Sequence, residues 1–259
     1  MLLEGTTAIV SGVGPGLGQA IATAFVREGA NVTLAARNEE YLDGVATELR
    51  SNGGRVLVSP TNITDAAACS RTVERTVTEF GGIDAVVNNA FRMDPGYAFA
   101  DADLERWKKI YEVNVWGSLN MTQAVIPSMR ARGHGSIVFV GSMSMRKIRP
   151  KEGAYASSKS ALIGAAQVLA KELGPDNIRV NTIVPGWIGG HNVEWYIEHE
   201  STRRGVTKDE IVAEITKDIP LGIIPPQEDI ANTAVFFASE LSAVVTGQAL
   251  DVNGGEYVH

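Results

Sequence analysis

Tyr155 and Lys159 stand four positions apart in Tyr155-Ala156-Ser157-Ser158-Lys159, within a segment whose helical pattern continues through Leu162. On a helix that spacing projects the phenol and the ammonium from one face. A nearby ammonium favours phenolate over phenol, which brings a group whose ordinary pKa is about 10 closer to working pH. Such a tyrosine can act as a general acid and base. A lone pair of this kind is common on helix surfaces, so its weight depends on what accompanies it. A second chemical feature lies near the start of the chain, where Ser11-Gly12-Val13-Gly14-Pro15-Gly16-Leu17-Gly18 follows a short apolar run and precedes a helical one. Glycines let the backbone turn sharply and approach a pyrophosphate, and the helix that follows aims N–H groups and its positive dipole end at it. The strict G-x-G-x-x-G spacing is replaced by Gly12-x-x-x-Gly16-x-Gly18. At the end of the next strand a dinucleotide site selecting NAD would place an acid, and the chain has Ala36 and then Arg37. A guanidinium there pairs with a 2′-phosphate, which favours NADP(H) and leaves NAD(H) possible.

The elements that must carry these groups follow from periodicity. Short apolar runs at residues 6–10, 32–36, 55–58, 83–87, 136–140 and 178–184 read as buried strands, with helical stretches between them. Leu17, Ile21 and Phe25 recur at helical spacing until Gly29, and another helix starts at Glu39. Alternating strands and helices imply an α/β fold with a doubly wound, Rossmann-like parallel sheet, because parallel neighbours need crossovers that become covering helices. Residues 1–259 read as one domain, with ligands gathered at the carboxyl ends of the strands. Residues 187–222 break the rhythm, mixing Trp187, Trp195 and Tyr196 with charges and showing helical pattern only from Lys208 onward. They are expected to form an irregular, mobile substrate loop that closes over bound ligands.

Composition narrows the classes. A chain of 259 residues with 44% hydrophobic and 20% charged residues is that of a globular protein with a large core. Thirty acidic against 23 basic residues give a net charge of -7, which disfavours a nucleic-acid partner. Cys69 is the single cysteine, so an internal disulfide is excluded, and His134, His191, His199 and His259 lack metal-site spacing. No apolar run approaches the roughly 18 residues of a membrane span, and a cytoplasmic protein without membrane partner is expected.

The motifs together resemble the short-chain dehydrogenase/reductase family, in its single-domain form, across practically the whole chain. The matching pieces, in order, are the glycine loop, Asn88-Asn89-Ala90, Asn114-Val115-Trp116-Gly117, Ser142, Tyr155 with Lys159, Pro185-Gly186, and Thr246-Gly247-Gln248. The resemblance implies that Tyr155 exchanges a proton with the substrate oxygen while Ser142 orients and polarises it. Lys159 would hold the nicotinamide ribose and tune Tyr155, and Asn114 would anchor a water linking Lys159 to solvent. Cofactor contacts would come from Ser11, Gly12, Gly16, Leu17 and Gly18, from Arg37, from Asn62 and Ile63 near the adenine, and from Asn89 and Ala90. Pro185, Gly186 and the backbone of Ile188 would hold the carboxamide end, together with Tyr155 and Lys159 at the ribose. The implied assembly is a homotetramer, through helices at residues 103–116 and 153–173 and the terminal segment. Leu162, Ile163, Ala166 and Leu169 supply more apolar surface than one internal face needs.

Three places depart from the family pattern. Phe91 replaces the glycine that usually follows Asn-Asn-Ala, Gly190 stands where a threonine often bonds the carboxamide, and Asn62 replaces an aspartate. Phe91, Met143 and Trp187 are the candidate substrate contacts, and with Arg92, Met93 and Met145 they suit an apolar body of moderate size. The reading is a small-molecule oxidoreductase acting on a secondary alcohol or ketone. Alternatives left open are a cofactor-binding sensor without turnover and a reductase of 3-oxoacyl thioesters. For the latter the basic run Arg146-Lys147-Ile148-Arg149-Pro150-Lys151 could meet an anionic tail, its simpler reading being a solvated loop.

Overall fold

The computed structural model describes residues 1–93 and 96–258, so His259, counted above among the scattered histidines, lies outside the described residues. Seven parallel strands form one sheet: β1 (Thr7–Ser11), β2 (Asn31–Ala36), β3 (Val56–Pro60), β4 (Ala85–Asn88), β5 (Gly135–Val140), β6 (Ile178–Pro185) and β7 (Ala249–Val252). Their order is β3-β2-β1-β4-β5-β6-β7. The helices are α1 (Leu17–Arg27), α2 (Glu39–Ser51), α3 (Ala66–Phe80), α4 (Leu104–Tyr111), α5 (Ser118–Arg132), α6 (Gly153–Leu173), α7 (His191–Arg204), α8 (Lys208–Thr216) and α9 (Gln227–Ala238). Six strands lie where the apolar runs place them, with ends moved by one or two residues. β7 is an addition, a half-exposed edge strand whose apolar signal is broken by Asp251.

Alternation along the strands builds two cores. In β1, Ala8 and Val10 face one layer, formed with Ile21 and Phe25 of α1, Leu42 of α2 and Phe237 of α9. Ile9 faces the other, formed with Val73 of α3, Met121 and Val125 of α5 and Leu162 of α6. Each fully buried Val, Leu, Ile, Phe or Met among them contributes about 1.5–3 kcal/mol. The strand order reverses at β1, which pairs with β2 on one side and β4 on the other. A crevice therefore opens beyond the carboxyl ends of β1 and β4, where the glycine loop and Asn89 emerge.

Residues 187–222 are not the irregular loop expected. They form α7 and α8, packed on a small cluster of Ile211, Ile215 and Ile219 with Trp187, Ile197, Val206 and Ile224 against it. The charges that argued against order pair at the surface instead. Arg204 makes two 2.6 Å bonds to Glu214, Arg203 bonds Glu200, Lys208 meets Glu198, and Thr207 and Glu210 cap α8 reciprocally. On α6 the outcome for the interface residues is mixed. Leu162 and Ala166 are spent on the internal core, while Val168 is 54% exposed and Ala161 and Gly164 face outward beside it. Among the described residues, no helix is long and apolar enough to cross a membrane.

Candidate active site

A cleft of about 680 Å³ lies at the carboxyl ends of the central strands. Tyr155 and Lys159, one turn apart on α6, enter it together with Ser142, which follows β5 in extended backbone. Ser142 stands beside the Tyr155 hydroxyl, close enough to act on its proton affinity, and Ser142 Oγ accepts from the Ser144 N–H at 3.2 Å. Lys159 is 2% exposed, its Nζ donates to the Val140 carbonyl at 2.7 Å, and it lies 5.8 Å from the centres of both the Tyr155 and Phe91 rings. Burial brings the Lys159 ammonium down to about 7. Tyr155 departs from the sequence expectation of a lowered phenol pKa. Burial pushes it up, the hydrogen-bonding capacity of the neighbouring Ser142 opposes this, and the charge of Glu152 adds to it.

Asn114 is fully buried in a stretch, Glu112–Gly117, where the helical hydrogen bonds widen to i→i+5 between α4 and α5. Its amide donates to the Arg92 carbonyl at 3.1 Å and to Ser158 Oγ at 2.9 Å, and its oxygen accepts from the Arg92 N–H at 2.7 Å. Both amide N–H donors are thus engaged by protein, and Asn114 ties the segment after β4 to the helix that carries Tyr155.

The glycine loop is held by tight packing. Gly12 has φ +84°, and a Cβ there would lie 2.3 Å from the Ala90 nitrogen, so Ala90 is its backing wall. Asn89 Nδ2 donates to the Gly12 carbonyl at 2.8 Å. A Cβ at Gly14 would meet nothing within 4 Å, and no side chain caps α1 at Gly16 among the described residues. The uncapped helix start and the open glycines form a cradle that fits a pyrophosphate. Ser11 Oγ, buried behind the loop, has no hydrogen-bond partner among the described residues.

The remaining expected contacts divide. Gly12, Gly16, Leu17, Gly18, Asn89, Pro185, Gly186 and Ile188 line the cleft, as do Phe91, Met143 and Trp187. Arg37, Asn62 and Ile63 do not line this enclosed volume. Arg37 is exposed one residue beyond β2, Asn62 is exposed and accepts from the Thr64 hydroxyl, and Ile63 packs in the core. Phe91 does not crowd the glycine loop; its ring stands edge-on to Tyr155, 6.4 Å between centres. Gly190 has φ +129°, and a Cβ there would be 3.2 Å from Gln227 Oε1, which accounts for the missing threonine.

Gln227, at the start of α9, faces Gly16 and Gly190 across the cleft and gave no sequence signal. Tyr196, which the sequence singles out with Trp187, lies against it with ring centres 5.3 Å apart and planes tilted by 45°. Lys147 and Arg149 reach the cleft from the basic run, whose residues Ile148 to Lys151 are exposed while three of its cations face acids. Lys147 lies 3.1 Å from Glu256 and 3.5 Å from Asp218, Arg149 lies 3.9 Å from Glu256, and Arg146 lies 3.5 Å from Asp251. Arg149 also lies 5.6 Å from the centre of the Trp187 ring. Partners so distant along the chain leave no local pattern to read.

Sheet order, glycine cradle and the Ser142, Tyr155 and Lys159 cluster define a dinucleotide-binding α/β protein. A family model described as "Enoyl-(Acyl carrier protein) reductase" matches residues 12–256. The chain is 34% identical to "Uncharacterized short-chain type dehydrogenase/reductase y4mP" of Sinorhizobium fredii, covering 100% of both chains. It is also 34% identical to "3-oxoacyl-[acyl-carrier-protein] reductase FabG" of Thermotoga maritima, over 98% of this chain and 99% of the relative. The solved structure of a short-chain type dehydrogenase/reductase from Mycobacterium ulcerans superposes with a TM-score of 0.91 at 30% identity, covering 99% of this chain and 91% of that one. The chain belongs to the short-chain dehydrogenase/reductase family of oxidoreductases, which use nicotinamide cofactors.

Proposed function

We propose that the protein interconverts a secondary alcohol and a ketone of moderate, largely apolar body, with NADP(H) preferred over NAD(H). The observation that carries the reading is the meeting of Ser142, Tyr155 and Lys159 in one cleft beside an open glycine cradle. A nicotinamide cofactor bound there supplies or accepts the hydride. The Tyr155 hydroxyl gives its proton to the carbonyl oxygen during reduction and takes it back during alcohol oxidation. Ser142, beside that hydroxyl, donates to the same substrate oxygen and fixes its position. Lys159, buried and poised near neutrality, is placed to stabilise the phenolate and to bond the ribose hydroxyls. Asn114 holds the Arg92 backbone and Ser158, and so the approach of the two walls. Phe91, Met143 and Trp187 supply the apolar wall.

The Arg37 side chain, free at the surface beyond β2, supports the NADP(H) preference. The Thermotoga relative's printed activity keeps reduction of 3-oxoacyl thioesters as the second reading. Against it, the basic residues at the cleft are already matched by Glu256 and Asp218. A pure sensor has no use for the proton-transfer group.

Tyr155→Phe tests the reading. The ring keeps its space while the hydroxyl is lost, so turnover of ketones and secondary alcohols should fall by at least about a hundredfold with cofactor affinity nearly unchanged. Near-normal turnover would sink the assignment. The outward face of α6 around Val168 supports assembly as a homotetramer. Light scattering at micromolar concentration should report about four chains, and a monomer would contradict it.

A further inference from the structure

Glu152 is the carboxylate of the cleft that the proton transfer leaves unused. It lines the same cavity as Ser142 and Tyr155 and sits immediately ahead of α6, three residues before Tyr155. Lys151, which leads into it, has φ +72°, a left-handed conformation that residues with a Cβ seldom adopt. The backbone of Glu152 is engaged, its N–H with the Arg149 carbonyl and its carbonyl with the Ala156 N–H. The side chain makes no capping bond to α6. One carboxylate oxygen, Oε2, is withdrawn from solvent and has no hydrogen-bond partner among the described residues.

The cations of the cleft are committed elsewhere. Lys147 and Arg149 face Glu256, and Lys159 donates to the Val140 carbonyl. A shielded acceptor without a donor is costly, and a ligand that brings the donor recovers that cost as affinity. Glu152 occupies the position before α6 and Tyr155 the third residue within it, so the two side chains leave the same end of the helix, line one cavity, and are close enough for the Glu152 charge to act on the phenol. A donor that reaches Glu152 while another oxygen meets Tyr155 therefore sits on a nearby carbon of the same small molecule.

We infer that Glu152 determines specificity, its carboxylate accepting a hydrogen bond from a hydroxyl or ammonium on the carbon next to the one that reacts. The substrate class is then a vicinal diol or amino alcohol on an apolar frame, or the matching α-hydroxy or α-amino ketone. The same charge repels a carboxylate at that place. The inference rests on the reading that Tyr155 addresses the reacting oxygen, and it adds what stands beside that oxygen.

Three probes separate the possibilities: cyclohexanol, trans-cyclohexane-1,2-diol and trans-2-aminocyclohexanol, added to the protein saturated with NADP+. Binding is followed by the fluorescence of Trp187 and Trp195, which line the cleft, and turnover by nicotinamide absorbance. The wild type should bind the diol or the amino alcohol at least about tenfold more tightly than cyclohexanol, the preferred one identifying the donor. In Glu152→Leu the ratio should fall to within about twofold of unity, with Glu152→Gln between. Equal binding of all three by the wild type, binding of none, or an unchanged ratio in both variants overturns the inference. A binding preference without turnover would leave Glu152's role standing and remove the dehydrogenase reading. Turnover of cyclohexanol without a preference would do the reverse.

Discussion

Replacing Lys159 with methionine should make the protein without cofactor more stable near neutral pH. The side chain is 2% exposed and makes one bond, to the Val140 carbonyl. Burial lowers its pKa from the ordinary 10.5 to about 7. At about 1.4 kcal/mol for each tenfold change in proton affinity, the charged form below pH 7 is disfavoured in the fold by about 5 kcal/mol. Methionine has similar length and no charge, but it strands the Val140 carbonyl, which costs about 1–3 kcal/mol. The net gain is about 2–4 kcal/mol at pH 6. Between about pH 7 and 10.5 the unfolded chain binds the proton that the folded one has released, so wild-type stability rises with pH across that window. By pH 9 the remaining penalty is about 2 kcal/mol and the advantage of the variant is nearly gone. Urea unfolding of both proteins, followed by circular dichroism at pH 6, 7, 8 and 9, measures the difference while other titrating groups cancel. A variant less stable at pH 6, or a difference that does not narrow toward pH 9, would refute the reasoning.

Arg37→Ala should weaken NADP(H) binding by about 1.5–3 kcal/mol and leave NAD(H) little changed, by equilibrium titration of each cofactor. Equal losses for both would reduce the arginine to a surface charge. Gly12→Ala, whose methyl would meet the Ala90 backbone at 2.3 Å in a left-handed conformation, should cost about 3–5 kcal/mol of stability in denaturant unfolding. Gly14→Ala, with open space around it, should shift stability by no more than about 0.5 kcal/mol. Similar losses at the two positions would show that packing against Ala90 does not constrain the loop.

Local chemistry is what the sequence determined. Strand runs, the helical stretch from Tyr155 through Leu162, the i,i+4 relation of Tyr155 and Lys159, and the glycine loop between β1 and α1 all depend on residues a few positions apart. Backbone periodicity alone is enough to bring such neighbours together. Tertiary structure decided the rest. α7 has few apolar positions, Val193 and Ile197 among them, so its helical pattern is faint until Ile211 and Ile215 of α8 offer a surface to bury against. The partners of the basic run lie between 71 and 109 residues downstream, in Asp218, Asp251 and Glu256. Even the direction of the Tyr155 pKa is a tertiary property. An adjacent lysine argues for a lower value, but desolvation sums every group that closes around the phenol, and here that sum raises it.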